Sequence, residues 1–122
     1  MSRRTLIVDD NLAFLAAAKA VLDGAEFAIV DAVANSADAL GKVDELELDL
    51  ILLDVDLGEE SGFVLAQQIS DRLDDGAPKM VLISAHPEDD FADLIAESPA
   101  VGFLAKSELS RDRLATLLGR AA

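Results

Sequence analysis

The sequence predicts an α/β fold built on a five-stranded parallel sheet. Three observations carry that expectation. Five short apolar runs alternate with segments of helical periodicity. One of them, Leu50-Ile51-Leu52-Leu53, is apolar without alternation, as a strand covered on both faces must be. Four of the five runs end at polar groups, Asp9-Asp10, Asp54, Ser84 and Lys106.

Thr5-Leu6-Ile7-Val8 opens the series and stops at Asp9-Asp10-Asn11. A helix follows, with Phe14, Ala17, Ala18, Val21 and Leu22 as its expected core stripe and Gly24 past its end. Leu12 and Leu15 lie off that stripe, beside the acidic pair. Residues 28–34 read as the second strand, and Asn35-Ser36 caps a helix carrying Ala39, Leu40 and Val43. The opening strand then ends at Asp54, and Val55-Asp56-Leu57-Gly58-Glu59-Glu60-Ser61-Gly62 reads as a loop. Leu65, Ala66, Ile69 and Leu73 form a helix face, followed by a turn at Asp74-Asp75-Gly76-Ala77-Pro78. Met80-Val81-Leu82-Ile83 is the fourth strand. Pro87 starts a helix with Phe91, Leu94 and Ile95 inward, and Ser98-Pro99 breaks it. Val101-Gly102-Phe103-Leu104-Ala105 is the fifth strand, and Leu109, Leu114, Leu117 and Leu118 belong to the last helix.

Composition narrows the function classes. A length of 122 residues suits one domain, residues 1–122, with 52% hydrophobic residues and no Trp or Tyr. The absence of Cys excludes disulfides, thiolate metal sites and a Cys nucleophile. A net charge of −14 argues against direct binding to nucleic acid. No apolar run suits a membrane span, and Leu6-Ile7-Val8 after Ser2-Arg3-Arg4 is too short for a signal peptide. A cytoplasmic protein is expected.

Parallel strands put their carboxyl ends on one edge, where α/β proteins bind ligands. Asp9, Asp10 and Asp54 should therefore share a pocket, and like charges there push pKa values up unless a cation is present. Mg²⁺ is the cation that suits carboxylates, water and phosphate oxygens. Asp54, at the tip of the most buried strand, becomes a candidate nucleophile that would form an aspartyl phosphate. Lys106 offers a point charge, and Ser84 a hydroxyl, to phosphoryl oxygens.

With these residues in order, the chain resembles the CheY-like receiver domain of two-component response regulators over essentially its whole length. Asp9-Asp10, Asp54, Ser84-Ala85 and Phe103-Leu104-Ala105-Lys106 carry the resemblance. It implies a flavodoxin-like, doubly wound (βα)5 fold with helices on both faces. The strand order 2-1-3-4-5 is that known for CheY itself and is carried over with the family. Asp54 would accept a phosphoryl group from a sensor histidine kinase or a histidine phosphotransfer protein. Asp9, Asp10 and Asp54 would hold Mg²⁺ with the backbone carbonyl of Asp56. Ser84 and Phe103 would be the switch residues, shifting the face of the fourth helix, fifth strand and fifth helix toward an output domain, a downstream protein or a second copy. The implied role is a phosphoacceptor regulatory domain rather than an enzyme.

Two departures stand out. Gly58 replaces a proline common in the family and is expected to loosen its loop; Ser107 replaces another after the lysine. Lys106-Ser107-Glu108-Leu109 looks like regulators with a LuxR-type helix-turn-helix output, so the chain reads as a stand-alone receiver or the regulatory part of a longer protein. His86 reads as a turn residue before Pro87 that could also tune dephosphorylation, as could Asp56. Leu12 and Leu15 form a candidate kinase-docking patch, with a wide core-facing helix as the alternative. Asp9 or Asp10 as a plain helix cap is the bland alternative for the acidic pair. Two other functions fit part of the pattern. A haloacid-dehalogenase-like phosphatase would use Asp54-Val55-Asp56, Ser84 and Lys106, and a pseudo-receiver would act without phosphorylation.

Overall fold

β3 (Leu50–Asp54) lies at the centre of the molecule, and all its residues are buried. In the computed structural model, which describes residues 2–73 and 78–121, the remaining elements surround it. Along the chain run β1 (Arg3–Val8), α1 (Leu12–Leu22), β2 (Phe27–Val33), α2 (Ser36–Glu45), β3, and the two-residue strands β4 (Asp56–Leu57) and β5 (Glu60–Ser61). Then come α3 (Gly62–Arg72), β6 (Lys79–Ser84), α4 (Ala92–Glu97), β7 (Gly102–Ala105) and α5 (Arg111–Ala121). The large sheet is parallel in the order β2-β1-β3-β6-β7, the expected 2-1-3-4-5 once the small β4-β5 pair is set aside. Residues 74–77 of the expected turn lie outside the described residues.

The double winding follows from the alternation of side chains across β3. Leu50 and Leu52 pack with Ile7, Val81, Ile83 and the inner faces of α1 and α5. Ile51 and Leu53 pack with Leu6, Val8, Leu82 and the inner faces of α2 and α3. Each fully buried aliphatic side chain contributes roughly 1.5–3 kcal/mol from removal of apolar surface from water. A polar residue at any of these four positions would lie in one core or the other.

Helix α1 differs from its expected face. Its buried residues are Leu15, Ala18 and Leu22; Phe14 is half-buried, and Ala17 and Val21 are exposed. The helix is apolar nearly all round, so its periodicity alone could not select a face, and packing against the sheet selected it. The fourth helix also begins differently. Glu88–Phe91 forms a 3₁₀ turn after Pro87, and α4 proper is only six residues long. Phe91 and Ile95 turn inward as expected, whereas Leu94 is exposed. Leu109 precedes α5 but still packs on the core beside it.

The segment expected as a loop after Asp54 contains an antiparallel hairpin, with Asp56 paired to Ser61 and Leu57 to Glu60. Gly58 adopts φ +76° at the first position of its two-residue turn, a type II′ pattern in which glycine is the favoured residue. Gly58 therefore does not loosen the loop. It makes a tight turn whose amide donates to Asp56 Oδ1 at 3.1 Å. Glu60 in turn accepts the Ser36 amide at the start of α2 at 3.0 Å, tying the hairpin to that helix. Gly62 opens α3 where the chain passes against β3, and a Cβ there would lie 1.9 Å from the Asp54 carbonyl oxygen. The requirement at Gly62 is space.

Two glycine substitutions should move stability in opposite directions. Gly62→Ala must push α3 away from Asp54 and should cost about 1–3 kcal/mol. Gly41→Ala, inside α2 with open space around the new methyl, should add about 0.5–1 kcal/mol. Urea denaturation followed by far-ultraviolet circular dichroism measures both. A Gly62→Ala protein as stable as wild type would remove the packing argument.

Candidate functional site

The carboxyl ends of β1, β3, β6 and β7 meet at one edge, and each brings a polar side chain to it. At the end of β1 the chain turns into α1 through Asp9, Asp10 and Asn11. Asn11 is the helix cap, its side chain accepting the Phe14 amide at 3.1 Å, so neither aspartate has that role. Asp9 accepts the Asn11 amide through Oδ1 at 2.8 Å and is fully buried, while Asp10 is exposed. Asp54 ends β3 with Oδ1 accepting the Asp56 amide at 3.0 Å. Ser84 ends β6, buried, with Oγ accepting the His86 amide at 3.0 Å.

Lys106 joins these groups. It follows β7 at the start of a 3₁₀ turn, Lys106–Glu108, and its ammonium lies 2.6 Å from Asp9 Oδ2 and 3.0 Å from Asp54 Oδ2. The contact with Asp9, whose side chain is fully buried, is the shorter of the two. Asp9, Asp10 and Asp54 can each place one oxygen within 4.8 Å of the others. Two buried carboxylates thus share one ammonium, with a third at the surface beside them.

The electrostatics follow from this arrangement. Burial pushes the Asp54 carboxyl above its ordinary range, and the nearby Asp9 charge adds to the rise. The Asp56 amide and Lys106 oppose it without cancelling it. For Lys106, burial alone would lower the ammonium, but pairing with Asp9 and Asp54 outweighs that and leaves it raised. The lysine is therefore charged throughout the neutral range.

The structure brings Asp9, Asp10, Asp54 and Lys106 together, with Ser84 at the end of the adjacent strand. Asp56 is exposed at the start of the hairpin. Phe103 is buried, 6.4 Å from the Phe91 ring; Phe91 also meets Phe63 at 5.9 Å and the exposed His86 at 6.4 Å. The docking patch divides. Leu12 is 71% exposed, but Leu15 is only 6% exposed and packs in the core with Ala18 and Leu22. Leu15 is corrected to a core residue, because α1 turns that side chain toward the sheet. Phe14, half-buried against the core as expected, also places its ring 4.4 Å from the Lys106 ammonium. Spacing along α1 carries no signal for that contact, since its partner arrives from β7.

Comparison with known proteins agrees with this geometry. The family model described as the response regulator receiver domain matches residues 5–118. The transcriptional regulatory protein YdfI of Bacillus subtilis (strain 168) is 29% identical over 115 residues, which are 93% of this chain and 53% of that protein. The chain thus spans about half the length of that curated relative. A CheY-like receiver domain from Methylobacillus flagellatus superposes with a TM-score of 0.82 at 23% identity, covering 100% of both chains. A two-component response regulator of the LuxR family from Aurantimonas sp. SI85-9A1 gives a TM-score of 0.80 at 22% identity, over 98% of this chain and 87% of that one. Both likenesses concern the fold.

The buried Asp54 charge yields a pH-dependent prediction. A carboxyl that titrates higher in the folded state than unfolded lowers stability as pH rises above its ordinary value of 3.8, because the folded protein then holds the extra proton. Without divalent cations, Asp54→Asn should therefore raise the urea midpoint at pH 7.5. The gain should shrink as pH is lowered toward 4. A variant less stable than wild type at pH 7.5 would show that the Lys106 contact outweighs burial.

Proposed function

The chain belongs to the response regulator receiver family, and from that premise we propose a phosphorylation-dependent switch with Asp54 as the phosphoacceptor. The supporting observation is the single ammonium of Lys106 shared by buried Asp9 and Asp54 beside the third carboxylate of Asp10. Such a site has an anionic nucleophile and a fixed positive charge within reach of it. Phosphoryl transfer needs little more than that positioning and neutralisation.

The acidic cluster fits a hard divalent ion, because Asp9, Asp10 and Asp54 can each place an oxygen within 4.8 Å of the others, with one ammonium to neutralise them. We assign Mg²⁺ to Asp9, Asp10 and Asp54, with the Asp56 backbone carbonyl as a further ligand. When bound, the ion supplies positive charge to the phosphoryl oxygens. A carboxylate oxygen of Asp54 attacks the phosphorus of a phosphohistidine. The oxygen–phosphorus bond forms as the phosphorus–nitrogen bond breaks, and the donor's imidazole nitrogen keeps the bonding pair. Lys106 turns its charge to one phosphoryl oxygen. Ser84, whose Oγ already accepts the His86 amide, has its own O–H to donate to another.

The product carries about two negative charges where the Asp54 carboxylate carried one, and it places them on a larger group, enough to bias a two-state element. Ser84 and Phe103 are the switch residues in this reading, acting on the face of α4, β7 and α5. Phosphate would come from a sensor histidine kinase or a histidine phosphotransfer protein, with exposed Leu12 as a docking contact. Residues 1–122 act as one receiver unit in the cytoplasm; among the described residues no helix is long and apolar enough to cross a membrane. The output is a domain or downstream protein controlled through that face, or a homodimer formed on activation. The resemblance to a transcriptional regulator favours a DNA-binding output outside this acidic domain.

Incubation with acetyl phosphate and Mg²⁺ should add one phosphoryl group, seen by intact mass, and Asp54→Asn should abolish it. Sustained turnover of a small phosphate ester would favour a phosphatase, and no modification would favour a pseudo-receiver. Metal binding has its own measure. Mg²⁺ at about ten times its Kd should add roughly 1.4 kcal/mol of stability, and Asp10→Asn should lose most of it. Equal stabilisation of both proteins would remove Asp10 from the site.

A further inference from the structure

Lys106 has a third neighbour besides its two carboxylates. The Phe14 ring lies with its centroid 4.4 Å from the ammonium, whose side chain is only 16% exposed. An ammonium that has lost most of its water needs compensation on every side, and a ring face supplies negative quadrupole density where an aliphatic side chain supplies none. Phe14 is also well anchored. Its backbone amide donates to the Asn11 side chain, and the Asn11 amide donates to Asp9, so one short segment with a hydrogen-bonded backbone carries both the ring and the carboxylate that the lysine meets.

We propose that Phe14 is a positioning residue for Lys106, its ring holding the ammonium in the carboxylate pocket and away from the solvent. The charge is then already aimed at Asp54 when a phosphoryl group arrives. This inference rests on the phosphoacceptor reading of Asp54. Phe14 acts on the reacting carboxylate through Lys106, so its loss should slow transfer, and it should not weaken metal binding, because a displaced ammonium leaves Asp9 and Asp54 less neutralised.

The test compares Phe14→Leu, which keeps apolar bulk, with Phe14→Tyr, which keeps the ring. In wild-type protein without phosphodonor, the Lys106 Hε protons should carry an upfield ring-current shift in NMR spectra. Phe14→Leu should lose that shift and slow modification of Asp54 by acetyl phosphate about three- to tenfold, with the half-saturating Mg²⁺ concentration no higher than in wild type. Phe14→Tyr should restore both. A wild-type rate in Phe14→Leu, or equal slowing by Leu and Tyr, would overturn the proposal. Phe14→Met replaces the leucine variant should that one fail to fold. If wild type carries the shift but takes no phosphoryl group, the phosphoacceptor reading fails while the hold of Phe14 on Lys106 stands.

Discussion

The ammonium of Lys106 lies between two buried carboxylates, and the functional edge of the sheet depends on that contact. Asp9 and Asp54 are each expensive to bury as anions, and their proximity adds mutual repulsion. One lysine offsets part of that cost from 2.6 and 3.0 Å. The compensation is incomplete, because burial still holds Asp54 above its ordinary range. A site with three carboxylates around one ammonium has room in its charge balance for a cation.

The rest of the fold fixes the members of that contact. Asp9, Asp54 and Lys106 come from β1, β3 and β7, elements that are far apart in the chain and joined only through the parallel ladder. The unbroken apolar character of β3 anchors Asp54 from below, since Leu50–Leu53 are locked into two cores at once. Gly62 lets α3 start directly against the Asp54 carbonyl, and the turn at Gly58 brings the chain back in two residues. Gly58 also lies against the acidic pair, since a Cβ there would sit 3.2 Å from Asp10 Oδ2. A side chain at either glycine would press on the site itself.

A second layer of contacts surrounds the site with aromatic rings. Phe14 faces Lys106 from α1, while Phe63, Phe91 and Phe103 form a chain of tilted contacts from the start of α3 to β7. Phe91 is the middle of that chain and sits at the end of the short 3₁₀ turn before α4. The segment after β6 packs on the core through Phe91, Ile95 and Ala100.

By itself the sequence determined the five strands of the large sheet and the polar residues that end four of them. A run such as Leu50–Leu53 has few other places to go, and a carboxylate after it must lie at the sheet edge. The same locality explains the capping by Asn11 and Asn35, where the side chain bonds an amide three residues on. What locality could not supply was orientation and meeting. α1 is apolar on nearly every side, so only contact with the sheet decided that Leu15 faces inward and Leu12 outward. The role of Gly58 was hidden because a glycine in a charged segment reads as slack until its pairing partner is known. Phe14 over Lys106 was hidden for the same reason. Contact between residues so distant in the chain exists only once the parallel sheet has brought the end of β7 beside the start of α1.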